Sequence, residues 1–434
     1  MKIRPLLLLA FLATTLSAQP APDASGPLTL PAAVAAVLAR YPSIEAANAA
    51  IEAAQARTEQ SQSVRLPQLS ATAGYEFLSP RIFISFGPTS FYQNAQDSYD
   101  AHLALHQLVS DFGRTRAAVA AARTGERSAA DTLEQTRQQL GYATIQDFYA
   151  VILLRQSVTV ADEEIRALQE ALRIARNKFT NGTATKFDVL TTQVRLANAE
   201  NNRTDTLAAL HKQEALLRQL LGLEPDAPLD LAGDFDVQPG LPDLSATLAD
   251  AFQHRPEILL AHDAEESARL KLDAADAADR PTLAADVAGG LHDNTLPNLY
   301  DNKGYVAAGL SVSVPIFTGR RTDGERREAR AELRVAQARV SEAARTISND
   351  VEIALADLTA SQGRLANADT LVAQAEEALA LAQTRYENGV ITNFELLDAQ
   401  SAARTAELTR LQARYDCVLD RYALAKAAGR PPLQ

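Results

Sequence analysis

The chain has 434 residues, a formal net charge of −12, 47% hydrophobic and 6% aromatic residues, and no tryptophan. That acidic balance argues against nucleic-acid binding, and a single cysteine, Cys417, excludes an intrachain disulfide and a cysteine-based zinc site. Alanine supplies much of the apolar content, which suits closely packed helices more than an aromatic globular core.

At the N-terminus, Met1-Lys-Ile-Arg4 is a basic segment, Leu6 to Leu16 an apolar stretch, and Ser17-Ala18 offers small residues for cleavage. Residues 1–20 therefore read as a signal peptide, too short in its apolar part for a membrane anchor. No cysteine follows it to carry a lipid anchor, and no later run reaches about 18 apolar residues. Any membrane role falls to β-strands.

The remainder says nearly the same thing twice. Phe179-Thr-Asn-Gly-Thr-Ala-Thr-Lys-Phe-Asp-Val-Leu190 returns 207 positions later as Tyr386-Glu-Asn-Gly-Val-Ile-Thr-Asn-Phe-Glu-Leu-Leu397. Pro42/Pro256, Pro67/Pro281, Gly113-Arg114/Gly319-Arg320 and Gly222/Gly429 recur in the same order. Such a period is too long for a solenoid; residues 27–232 and 240–430 read as two equivalent structural repeats.

Each repeat is expected to carry a strand pair: Leu69–Tyr75 with Tyr99–Val109, and Leu283–Gly289 with Tyr305–Pro315. In the last of these Val306, Ala308, Leu310, Val312 and Val314 alternate with Ala307, Gly309, Ser311 and Ser313. A transmembrane barrel and the half-buried sheet of a soluble protein both give that alternation. The first pair's loop is eight residues longer than the second's and holds Phe77, Phe83, Phe86, Phe91 and Tyr92. Those aromatics suit either a membrane-interface belt or a small cluster folding the loop. Four strands cannot close a barrel, which needs about eight, so the sheet edges call for an oligomer.

Long helices follow each strand pair. No proline falls between Arg114 and Glu224 or between Ile316 and Arg430. Ala344, Val351, Leu358, Leu365, Val372, Leu379 and Tyr386 recur every seventh residue beside a small row of Ala354, Ser361, Ala368, Ala375 and Ala382. This is a coiled-coil seam, and Val151, Val158, Ile165, Leu172 and Phe179 repeat it. Gly113 to Gly182 and Gly319 to Gly389 could each span roughly 100 Å. An Asn-Gly reversal then sends a shorter helix back, Phe187–Leu221 and Phe394–Ala428.

With Arg65-Leu-Pro-Gln-Leu69, Asp111-Phe-Gly-Arg-Thr115, Arg255-Pro-Glu-Ile258, Val314-Pro-Ile-Phe-Thr-Gly319 and the paired Asn-Gly tips in order, the chain resembles the TolC-like outer membrane efflux protein family over nearly all of its mature length. The resemblance implies a mainly α fold with a small β part. It implies a homotrimer of long helical hairpins forming a periplasmic tunnel, capped by a shared barrel of four strands per chain in outer-membrane lipid. It also implies a passive exit duct for drugs, metal ions or secreted proteins, fed by a periplasmic adaptor and an inner-membrane transporter. The alternative is a non-conducting coiled-coil spacer or adhesin-like envelope protein.

No catalytic or cofactor motif stands out. His102 and His106 share a strand face but lie about 13 Å apart, too far for one metal, and read as lumen or loop residues. Glu395 and Asp398 share a helix face one turn apart; around a threefold axis each makes a ring of like charges. The resemblance implies that they match the family's acidic pair at the periplasmic entrance, with Asp188 and Tyr386 at positions that tie neighbouring helices in the closed state. Ile391 stands where well-known members carry arginine, which suggests a weaker or partly apolar closure. Both acids also suit a helix N-terminus, whose dipole favours negative charge. The tips, Asn181-Gly182 and Asn388-Gly389, are reversals that the resemblance implies also dock the adaptor.

Overall fold

The computed structural model describes residues 27–293 and 298–431; the signal-peptide expectation for residues 1–20 lies outside them. In chain order the elements are β1 (Leu28–Thr29), α1 (Leu30–Arg40), α2 (Pro42–Ser63), β2 (Gln68–Phe77), β3 (Phe83–Phe86), β4 (Thr89–Tyr92) and β5 (Asp97–Ser110). Then come α3 (Arg114–Thr180), α4 (Lys186–Leu221), β6 (Leu231–Ala232), α5 (Leu244–His254), α6 (Pro256–Asp276), β7 (Thr282–His292), β8 (Lys303–Ser313), α7 (Arg321–Glu387) and α8 (Asn393–Ala427).

The repeated landmarks mark helix boundaries. Pro42 and Pro256 open α2 and α6, and the residues before them, Tyr41 and Arg255, are extended, as proline requires of its predecessor. Gly113 and Gly319, both at positive φ, turn the chain from sheet to helix. The long helices α3 and α7 have 67 residues each, about 100 Å at the α-helical rise. Most of the α7 heptad positions point inward as the sequence predicts: Val351, Ala354, Leu358, Ser361, Ala368, Val372 and Tyr386 are buried, while Ala344, Leu365, Ala375, Leu379 and Ala382 are half-buried. The first repeat departs at its last position. Phe179 is 47% exposed, whereas its equivalent Tyr386 is 8% exposed.

Helix α3 is the centre of the helical body, packing against α2, α4, α6 and α8, while α7 packs against α5, α6 and α8. Two apolar cores sit at mid-height. One gathers Val34 and Val37 of α1 around Ile145, Phe148 and Val151 of α3 with Leu217 of α4. The other gathers Ala251 of α5 and Ile258 of α6 around Ile347, Val351 and Leu358 of α7, with Leu424 of α8. The segment between the repeats is tied across both. Arg414 and Arg421 of α8 donate to the carbonyls of Phe235 (3.1 Å) and Gln238 (2.9 Å).

Among the described residues, β2, β5, β7 and β8 form one antiparallel sheet in that order. The last strand stops at Ser313, so Pro315 lies beyond it, and β2 runs longer than the sequence suggested. Two further pairings were not legible in advance: β3 with β4, a hairpin inside the long aromatic loop, and the short parallel pair of β1 with β6.

Candidate functional site

Directly paired residues on neighbouring strands share a face, so the register sorts the sheet into two surfaces. One carries Leu69, Tyr75, Tyr99, Leu103, Leu105, Leu291, Val287, Leu283, Val306, Leu310 and Val312. The other carries Ser70, Thr72, Glu76, Asp100, His102, His106, Asp286, His292, Lys303, Tyr305 and Ser311. The apolar face is bare: Val306 is 83% and Leu310 75% exposed, and Leu69, Leu103, Leu291 and Val312 are each more than half exposed. Burying one such side chain is worth about 1.5–3 kcal/mol. Leaving the whole face in water would therefore forgo more than about 10 kcal/mol. Among the described residues no helix packs against that face, which argues against the half-buried sheet of a soluble protein. No helix of the described residues is long and apolar enough to cross a membrane; the apolar sheet face is the surface suited to lipid.

The loop aromatics Phe77, Phe83, Phe86, Phe91 and Tyr92 are exposed as well. Phe83 and Tyr92 pair across the β3–β4 hairpin with ring centroids 5.3 Å apart. The Arg81 guanidinium stacks 3.7 Å from the Tyr92 ring centroid, and Phe86 stays exposed.

At the opposite end of the helices lie the tips. Gly182 and Gly389 take positive φ and close α3 and α7 with the same pair of bonds. Gly182 N–H donates to Phe179 O (3.0 Å) and Thr183 N–H to Lys178 O (2.8 Å); Gly389 N–H donates to Tyr386 O (3.1 Å) and Val390 N–H to Arg385 O (2.9 Å). This is the glycine-ended helix stop. Asn388 adds a side-chain bond to Thr384 O at 2.8 Å, and Asn181 takes the matching cap position. A Cβ added at either glycine would meet open space, so the tip surface is accessible.

The return helices start with reciprocal caps. Thr185 and Asp188 form a capping box at α4, Thr392 and Glu395 its counterpart at α8. Glu395 accepts from Thr392 N–H at 2.7 Å and from the Thr392 hydroxyl at 2.9 Å. The backbone bond first, then the hydroxyl bond, holds its carboxyl below the usual range. The helix-start role foreseen for Glu395 is therefore present in the single chain. Asp398, one turn on, is exposed.

Asp188 lies near enough to Tyr386 to act on its hydroxyl, and Tyr386 has a second neighbour that the sequence reading missed. Lys178 Nζ lies 3.7 Å from the Tyr386 ring centroid and donates to Tyr386 O at 3.3 Å. Burial, and then the nearby Asp188 carboxylate, push the Tyr386 hydroxyl up from its ordinary pKa. Lys178 answers Arg385 in the second repeat, so a base beside each tip aromatic was the available signal. Asn393, only 6% exposed, donates to Thr192 Oγ1 (3.0 Å) and Asp188 O (3.4 Å). Arg195 donates to Leu397 O at 3.2 Å over a small core of Leu168, Ala171, Ala199 and Leu397. Nothing flagged Asn393, because its first-repeat equivalent is Lys186. Glu395 and Asp398 are not part of this contact. Ile391 is half-buried.

A lipid-suited sheet with open edges, joined to helices about 100 Å long that end in exposed tips, defines an outer-membrane channel protein with a tunnel beyond the membrane. The chain belongs to the family described as outer membrane efflux protein, whose profile matches residues 33–223 and 247–430. It is 27% identical over 337 residues to outer membrane efflux protein BepC of Brucella suis biovar 1, covering 76% of this chain and 71% of that protein. It is 25% identical over 331 residues to the alkaline protease secretion protein AprF of Pseudomonas aeruginosa, covering 74% and 67%. Its fold matches the outer membrane protein VceC of Vibrio cholerae with a TM-score of 0.79 and 22% identity, over 92% of this chain and 96% of that one. The TolC-like resemblance read from the motifs holds, as does the mainly α fold with a small sheet. The protein is an outer-membrane exit duct with a periplasmic extension.

Proposed function

We propose that three copies of this chain close their sheets edge to edge into one 12-stranded barrel, four strands from each, and bundle their hairpins into a continuous periplasmic tunnel. The observation that carries this is the pair of unpaired edges, β2 and β8, on a sheet whose apolar face is bare. The division into two repeats, 27–232 and 240–430, gives each copy two hairpins and so six around the axis. The duct is passive and performs no catalytic step; energy comes from an inner-membrane transporter reached through a periplasmic adaptor that docks at the Asn181-Gly182 and Asn388-Gly389 tips. Glu395 and Asp398 ring the entrance, and the Lys178–Tyr386 contact, with Asp188 near it, ties the two hairpins of one chain behind it.

Purified protein in a planar bilayer tests the reading. Discrete single-channel steps, carried by a species of three chains, are expected. A protein that inserts as three chains without conducting would be the coiled-coil spacer instead.

A further inference from the structure

The polar face of the sheet holds three of the chain's six histidines, and the duct reading by itself gives them no task. His102 and His106 project from β5 and His292 from β7. Each faces a carboxylate. His102 Nδ1 is 2.6 Å from Asp100 Oδ2, His292 Nδ1 is 3.8 Å from Asp100 Oδ1, and His106 Nδ1 is 2.7 Å from Asp286 Oδ1. Ser311 of β8 also donates to Asp286, at 3.4 Å. Gly290 lies directly opposite His102, where an added Cβ would fall 2.6 Å from the His102 Cα. The glycine thus keeps β7 close to the imidazole's strand.

Among the described residues the register places Glu76 of β2, Asp100 of β5, Asp286 of β7 and Lys303 of β8 with the three histidines; Tyr305 is the remaining titratable group. Asp293, just past β7, is buried and accepts from Tyr99 N–H at 2.7 Å. With neutral histidines, three carboxylates and one lysine leave two net negative charges per chain. With protonated histidines the same face carries one net positive charge. Three copies around a lumen make that six negative against three positive. Histidine is the side chain that ordinarily changes charge between about pH 5 and 8, where carboxylates and lysine do not.

We propose that this histidine–carboxylate belt is an ion-selectivity filter inside the barrel, favouring cations in neutral medium and anions in acid. The proposal rests on the trimeric duct reading, which places this face around the lumen. The histidines are partly exposed to that space, with 27% to 52% of their side-chain surface open. Their charge therefore acts on passing ions through the potential of a low-dielectric wall. Large neutral cargo would pass unaffected, whereas small ions and charged cargo would feel the reversal.

The test is a reversal-potential measurement in a potassium chloride gradient at about pH 8 and about pH 5. It compares the unaltered protein with the combined variant His102→Asn, His106→Asn, His292→Asn. The unaltered channel should move from a potassium-to-chloride permeability ratio above one to a ratio below one, and the variant should stay above one at both. Repeating both on the Glu395→Gln, Asp398→Asn background removes the entrance ring as the source of sign, and the crossing should persist. If the combined variant does not assemble, single variants at His106 and His292 should each keep part of the shift. A conducting channel whose ratio ignores pH, or a variant that shifts as far as the parent, overturns the filter alone. Absence of any conductance overturns the duct reading, and the filter with it.

Discussion

The two helix-ending glycines Gly222 and Gly429 are equivalent in sequence but not in surroundings, and alanine at each should separate two energies. Gly222 has φ +66, and a Cβ there meets nothing within 4 Å. Gly222→Ala therefore carries only the left-handed backbone cost, about 1–2 kcal/mol. Gly429 has φ +75, and its Cβ would fall 2.7 Å from Arg255 N and 2.8 Å from His254 C. Those are backbone atoms at the α5–α6 junction and cannot rotate away. Arg255 is itself fixed there by Asp350 at 2.7 Å and Glu257 at 3.1 Å. Overpacking of this kind adds about 1–3 kcal/mol, so Gly429→Ala should cost about 2–5 kcal/mol in all. Denaturant unfolding of the helical body, followed by far-ultraviolet circular dichroism in detergent, gives both values against the parent. Equal losses at the two positions would refute the packing argument, leaving backbone conformation as the sole cost.

Glu395 and Asp398, the proposed entrance pair, should show separable roles. Glu395→Gln keeps an acceptor for the Thr392 bonds but removes the charge that the helix start favours, so cation preference should fall with only a small loss of helix stability, whereas Glu395→Ala should lower both further; Asp398→Asn should change selectivity only. If the double change Glu395→Ala, Asp398→Ala leaves conductance and preference as they were, the pair does not form the gate. At the tip, Gly389→Val places a branched side chain at φ +71 on an otherwise open surface; export should be lost while the proposed three-chain assembly survives. Normal export by such a variant would remove the docking role.

Much of the molecule was legible because helices and strands write different periods. The sevenfold rows on α7 and the proline-free windows fixed two long hairpins, and the Asn-Gly pairs fixed their tips, since a positive φ after a helix selects glycine. The alternation on β8 fixed its two faces. The contacts between hairpins near the tips were less legible. Lys178 of α3 with Tyr386 of α7, and Asn393 of α8 with Thr192 of α4, join residues about 200 positions apart, and only the packing of one hairpin against the other brings them together. Sequence duplication could not reveal Asn393, whose equivalent is a lysine, nor the exposure of Phe179 where Tyr386 is buried. Symmetry in sequence becomes asymmetry in contact because each hairpin meets a different neighbour.

What the sequence determined by itself was the set of elements, their order and the direction of each apolar stripe. These follow from local backbone preference and from the spacing of side chains along one segment. Whether the apolar side of the sheet was covered or bare was decided only by the tertiary structure, since no local pattern reports what lies across from it. The same holds for the belt of His102, His106 and His292, which is a cluster only because β5 and β7 lie side by side in one register. Pairing between strands distant in the chain, more than the residues of any one strand, is what gives this duct an inside.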